Sequence, residues 1–260
     1  MKTVNVNKTI LFILVFAQVL FAQGTAGSNA KYEYRTLIDK PTAGILEKGF
    51  VGVSLDMLPM GVVISKIEVG VFENFSFGIS YGAANLIGTG DPKWYKLPGI
   101  NVKFKMINER LTVPSITLGF DSQGKGLYFD DLKRYEIKSP GFYVAAAKNF
   151  EIFGYLSLHA ILNYSLERED GDKDIDFAVG VEKTLGPQIS VIAEYDLASN
   201  DNSGAALGEG NGYLNIGVRW SVGSGFTIGM DLRNILDNKK PKEFKAVDRA
   251  IFVEYVKGIF

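Results

Sequence analysis

The sequence predicts an all-β protein: a transmembrane antiparallel up-and-down β-barrel of about twelve strands. Three observations predict it. Apolar and polar residues alternate with period two from Phe50 towards the C-terminus. The links between these segments alternate between short and long. A leader for export stands in front of them.

The leader comes first. Lys2 and Lys8 make a basic start, Ile10 to Phe21 form an apolar run, and Ala22 and Gly24 supply small residues for cleavage. This is the three-part pattern of a secretory signal peptide, with cleavage expected after Ala22. The run is too short to cross a bilayer as a helix, which takes about 20 residues. Residues 23–48 are polar and read as an extended periplasmic lead-in. Residues 49–260 are left as one outer-membrane barrel.

Composition agrees. Hydrophobic residues are 47% of the chain, yet mean hydropathy is only +0.08. A helical membrane bundle would be far more apolar, whereas a barrel pairs each lipid-facing residue with a lumen-facing one. The chain has no cysteine, which excludes disulfides, thiolate metal sites and an N-terminal lipidated cysteine. A net charge of −1 argues against nucleic acid as a partner.

The strands follow in order. The alternation predicts them at 49–57, 62–72, 75–83, 99–107, 112–121, 141–148, 152–166, 174–185, 188–199, 212–222, 225–234 and 249–259. In the third from last, Leu214, Ile216, Val218 and Trp220 oppose Asn215, Gly217 and Arg219. Each segment is close to the roughly 9–11 residues that a tilted membrane strand needs. Tight links are expected at Glu73-Asn74, Asn108 to Arg110, Asn149 to Glu151, Gly186-Pro187 and Gly223-Ser224. Long links are expected at 84–98, 122–140, 167–173, 200–211 and 234–248. That rhythm matches short periplasmic turns and longer outer loops; the link Leu58 to Gly61 is short where a long one is due.

The chain closes on an amphipathic segment ending in Phe260. Together with Tyr255 it resembles the insertion signal read by the barrel-assembly machinery. Phe260 has the opposite parity to Ile251, Val253 and Tyr255, so a bulge near Lys257-Gly258 is expected to restore register. The stretch Leu37 to Gly44 (LIDKPTAG) resembles the opening of the YjbH-like outer-membrane barrels linked to exopolysaccharide. Gly78 to Gly82, Pro98 to Lys103, Gly119 to Gly124 and Asn163 to Glu167 resemble that family's strand and loop phrases. The resemblance spans roughly Leu37 to Phe260. It implies a barrel with a non-enzymatic, envelope-polysaccharide role.

Candidate chemistry sits on the inward faces. Asp56, Glu68, Asp121, Asp176, Glu182, Glu194, Asp196, Asp231 and Glu254 share them with Lys66, Lys103, Lys105, Arg219 and Arg233. Buried charges need partners, so this set reads as a lumen charge network, or as the lining of a selective pore. A barrel of this size is expected to be mostly filled or narrow. Ser157 and His159 share one face, as a nucleophile and its base would, but that face is the lumen rather than the lipid side. His159 therefore reads as a hydrogen-bonded lumen residue. Glu182, Glu194 and Asp196 lack the other marks of a sugar-cleaving pair. The loop residues Trp94, Tyr95 and Tyr128 are candidates for surface contacts or for packing over the barrel mouth. Glu167 to Asp176 is acidic but lacks the ligand series of a calcium loop, and reads as solvated. The overall expectation is a non-enzymatic envelope barrel with a structural, exopolysaccharide-associated or narrow-transport role, without metal or cofactor. The alternatives are a solute channel and a lipid- or glycan-acting enzyme. Its partners are outer-membrane lipid, the assembly machinery, and polysaccharide or small solutes.

Overall fold

The computed structural model describes residues 24–240 and 247–259. The leader and Phe260 lie outside the described residues. The protein is all-β, with strands β1 (Phe50–Leu58), β2 (Val62–Phe72), β3 (Phe75–Ala84), β4 (Lys93–Trp94) and β5 (Gly99–Ile107). There follow β6 (Ser115–Asp121), β7 (Lys125–Phe129), β8 (Arg134–Ile137), β9 (Gly141–Glu151) and β10 (Tyr155–Tyr164). The last are β11 (Asp176–Thr184), β12 (Ile189–Asp196), β13 (Tyr213–Gly223), β14 (Phe226–Arg233) and β15 (Asp248–Gly258). Twelve of them form one closed antiparallel sheet. Each pairs with its chain neighbour in that set, and β1 pairs with β15 to close the ring. Closure leaves no strand edge unpaired, which a bilayer requires.

Period two places the side chains. On β10, Leu158 and Leu162 face outward and are exposed, while Ser157, His159, Ile161 and Asn163 face inward and are buried. Ile67, Ile79, Val218, Met230 and Ile251 continue the apolar outer belt around the ring. Burying such a belt in hydrocarbon is what stabilises the barrel in a membrane.

All twelve expected strands are present, and three short ones lie in the links. β4 extends the pairing of β3, and β7 and β8 form a hairpin within the 122–140 link. The turn expected at Asn149 to Glu151 lies at Ile152 to Gly154 instead, with Phe153 and Gly154 at φ +45° and +93°. Phe153 is 99% exposed. An apolar turn residue at the lipid boundary hides a turn from a reading that expects turns to be polar. The expected bulge at Lys257-Gly258 is absent: the pairing of β15 with β1 runs unbroken from Ile251 to Gly258. Tyr255 packs on Phe226, with ring centroids 5.0 Å apart.

The main departure concerns residues 24–48. They do not lie ahead of the barrel as a lead-in. The chain runs up inside the lumen from Gly24, reverses at Ile38-Asp39, and descends to β1. Thr36 pairs with Pro41, the Leu37 N–H donates to the Lys40 carbonyl at 2.9 Å, and the Thr42 N–H donates to the Arg35 carbonyl at 3.1 Å. This is a hairpin. Gly44 allows its arms to approach, since a Cβ there would lie 2.0 Å from the Tyr34 carbonyl oxygen. Leu37, Ile38 and Ala43 pack on an apolar patch of the inner wall made by Tyr143, Ala145, Ile161, Ala178 and Ile192.

Candidate functional site

The site is the lumen and the hairpin that fills it. At the tip, three successive backbone N–H groups, of Ile38, Asp39 and Lys40, donate to the Glu194 carboxylate at 2.9–3.1 Å. Asn215 adds a fourth donor at 2.9 Å. A turn that aims consecutive amides at one point is an anion cradle, and here the anion belongs to the wall. The two side chains of the tip reach outward. Asp39 accepts from Arg233 at 2.9–3.2 Å and from Asn215 at 3.0 Å. The Lys40 ammonium pairs with Asp176 at 2.7 Å and with Asp196 at 2.9 Å.

Further down, Arg35 pairs with Glu68 at 3.2 Å and with Glu254. Lys103 donates to the hairpin carbonyls of Arg35 and Gly44 at 2.5 and 3.1 Å. Arg219 donates to the Leu37 carbonyl at 3.2 Å and pairs with Asp231. Lys105 pairs with Glu33 at 2.6 Å. Near the periplasmic turns, the N–H groups of Ala26 and Gly27 donate to the hydroxyls of Ser221 and Ser190, both at 2.9 Å.

Every residue of the expected lumen network faces inward. Among the described residues, only Lys66–Asp121 and Arg219–Asp231 form ion pairs of wall with wall within this network. Asp56 pairs with Lys125 of the inward-folded outer loop at 3.2 Å, and Glu182 accepts from Ser190 at 2.8 Å. The rest of the network holds the hairpin. The hairpin's part was missed, and a signal for it existed. Ile161, Ala178 and Ile192 are apolar at inward positions, which a water-filled lumen does not favour and a packed plug does.

The outer mouth is closed as well. Arg134 is fully buried and pairs with Asp170 at 2.6 Å and Asp201 at 2.5 Å, tying three loops. Lys138 joins Asp170 at 2.7 Å. Asp172 accepts from the N–H groups of Asn202 and Ser203, both at 2.9 Å. Burial by itself pushes the Asp172 carboxyl up, but these amides and that of Asp174 outweigh it and hold it below the usual carboxylate range. Glu167 accepts from the amides of Tyr135 and Ser139, and burial raises it. The acidic loop is therefore a latch and not a solvated excursion. Tyr95 donates to the Gly126 carbonyl at 2.6 Å, and Tyr95 and Tyr128 both stack edge-on with Tyr135 over the mouth. Trp94 is exposed and stacks on Tyr81.

Ser157 and His159 are not joined. The Ser157 hydroxyl donates to Asn149, and both ring nitrogens of His159 are buried with no hydrogen-bond partner among the described residues. The expectation of a hydrogen-bonded histidine is thereby corrected: Ala147 and Gly180 lie opposite it on the two flanking strands, and neither carries a polar side chain.

No family model matches the chain, and no curated protein matches it. Solved structures do match. The KdgM porin aligns with a TM-score of 0.52 at 12% identity, over 79% of this chain and 98% of that one. KdgM porin in complex with disordered oligogalacturonate aligns at 0.50 and 12%, with the same coverage. The NanC porin in a rhombohedral crystal form aligns at 0.45 and 7%, over 80% and 98%. The KdgM likeness is one of fold. The YjbH-like family has no counterpart among these matches. The closed ring and its apolar belt, in a fold shared with outer-membrane porins, place the protein in the bacterial outer membrane.

Proposed function

We propose that the protein is an outer-membrane solute channel that its own N-terminal hairpin holds shut. The observation that carries this is the hairpin tip at Ile38–Lys40, seated inside a closed barrel by side chains of the surrounding wall. The KdgM likeness supports a channel over a purely structural barrel. A permanently closed barrel with a structural or exopolysaccharide-associated role is the second reading, favoured by the density of buried ion pairs around the hairpin.

The lining indicates the solute class. Inward acids outnumber inward bases, and the hairpin's Arg35 and Lys40 neutralise Glu68, Glu254, Asp176 and Asp196. Displacing the hairpin uncovers those carboxylates, which favours cations. Oligogalacturonate, the polyacid of the KdgM complex, would be repelled by such a wall, so the channel reading does not bring that cargo with it.

Conductance in planar bilayers tests the proposal. The Thr25 and Thr227 hydroxyls are 3.0 Å apart, and the chain has no other cysteine to interfere with a T25C/T227C pair. The expected result is brief cation-selective openings, lost on oxidation of that pair and restored by reduction. Arg35→Ala with Lys40→Ala should make openings more frequent. A folded double variant that stays electrically silent overturns the channel reading in favour of the closed barrel.

A further inference from the structure

The outer wall carries a groove for which a channel has no use. It opens on the lipid face at the outer end of the barrel, across β13, β14, β15 and β1, with a volume of about 730 Å³. That lies within the roughly 300–1,000 Å³ of sites that hold one small molecule. Ile216, Met230, Leu232 and Ile251 line it from the strands, and Met60 and Ile87 from the adjoining links. Met57 joins them, so three of the chain's five methionines meet at this groove. Methionine is unbranched and adapts to the shape of a flexible apolar partner. The aromatic belt is interrupted here. On other strands at this end Phe120 packs on Phe142, Tyr81 packs on Trp94, and Phe177 is exposed. Among the described residues no aromatic side chain lines the groove.

The charged end of the groove is Arg249. It shares the outward face of β15 with Ile251 and stands opposite Leu232 of β14. It is exposed, and among the described residues it has no hydrogen bond or ion pair. The carboxylates beside it are taken: Asp248, its neighbour in the chain, pairs with Lys239, and Asp231 of β14 pairs with Arg219.

We propose that the groove binds one molecule of the phosphorylated, multiply acylated glycolipid of the outer leaflet, with an acyl chain along the methionines and a phosphate on Arg249. Each part follows from the surface that receives it. A guanidinium matches a phosphate with two parallel N–H···O bonds. The methionine-lined part has only apolar side chains to offer, which suits a hydrocarbon chain. A zwitterionic lipid carries its own ammonium beside the phosphate, which competes with Arg249 for it. An uncharged apolar molecule leaves the guanidinium without a partner. A second copy of the barrel is a poorer occupant, because a two-fold contact through this patch brings two copies of Arg249 into one interface.

The strands separate this site from the lumen, so the inference does not rest on channel activity. It applies equally to a barrel that never opens, and its test reads binding rather than conductance.

The folded full chain in detergent micelles is titrated with bis-phosphorylated lipid A, and bound lipid is counted by native mass spectrometry. The same lipid stripped of its phosphates and phosphatidylethanolamine serve as controls. One lipid A per barrel, retained in preference to both controls, is expected. Arg249→Gln, with its fold checked by the heat-modifiable gel band, should weaken that binding about ten-fold or more, the scale of one charge-assisted contact. Ile216→Trp, which crowds the groove and leaves its charge unchanged, should weaken it as well. Lys257→Gln removes an exposed cation at the other end of β15 and should leave binding as it was. Equal retention of either control lipid, unchanged affinity in folded Arg249→Gln or Ile216→Trp, an equal loss in Lys257→Gln, or a lipid-free dimer each overturns the proposal. The wild-type titrations decide the matter even where a variant does not fold.

Discussion

At the scale of the residue, Glu194 is the centre of the molecule. It is fully buried, and the four neutral donors that hold it include three from the hairpin tip. A carboxylate without a cation partner is tolerated in the interior only when its oxygens are fully hydrogen-bonded. Truncating it orphans three backbone amides at once. Glu194→Ala is therefore expected to loosen the tip by about 3 kcal/mol, in the range for breaking a buried charged network. Amide hydrogen exchange at Ile38, Asp39 and Lys40 checks this, and unchanged protection would contradict it. Gly180 acts at the same scale: a Cβ there would lie 2.3 Å from a methyl of Leu37, so its absence makes room for the hairpin.

At the scale of the element, the outer loops behave as one latch. Asp172 joins the link after β10 to the link after β12 through two short backbone bonds. Its carboxyl titrates below the usual range in the folded protein, so it contributes stability that is present above the ordinary aspartate value of about 3.9 and is lost as pH falls beneath it. Glu167 has the opposite sign. Burial raises it, so it takes its proton early and acidification relieves its cost. The Asn202 and Ser203 amide signals are thus expected to hold their position down to about pH 4 and to move below it. In Asp172→Asn that acid step should vanish.

At the scale of the whole molecule, two closures act together, the ring of strands and the filled lumen. The hairpin foot is bonded to strands at the far end of the sequence, Thr25 to Thr227 and to Glu254. A disulfide between cysteines at 25 and 227 would close a loop of 202 residues, and restricting so long a loop is worth about 5 kcal/mol in the chain-entropy account. The folded gel band of oxidised T25C/T227C should survive to a higher temperature than that of the reduced protein. No gain on oxidation would mean that the foot is not seated as described.

Much of this was legible in the sequence, because strand alternation is a local property: Leu158 beside His159, or Trp220 beside Arg219, declares two faces with no knowledge of the neighbouring strand. Link lengths are equally local, and they set the up-and-down order of the twelve strands. The turn at Phe153 escaped because lipid, rather than water, lies next to it. By itself the sequence determined which side chains face inward and that the inner surface is charged. Only the tertiary structure decided what meets those charges. Residues 24–48 carry no strong period of their own, and the partners of Arg35, Asp39 and Lys40 lie up to 219 residues away. A backbone cradle such as that of Ile38–Lys40 is a property of three-dimensional direction, so no side-chain pattern along the chain announces it.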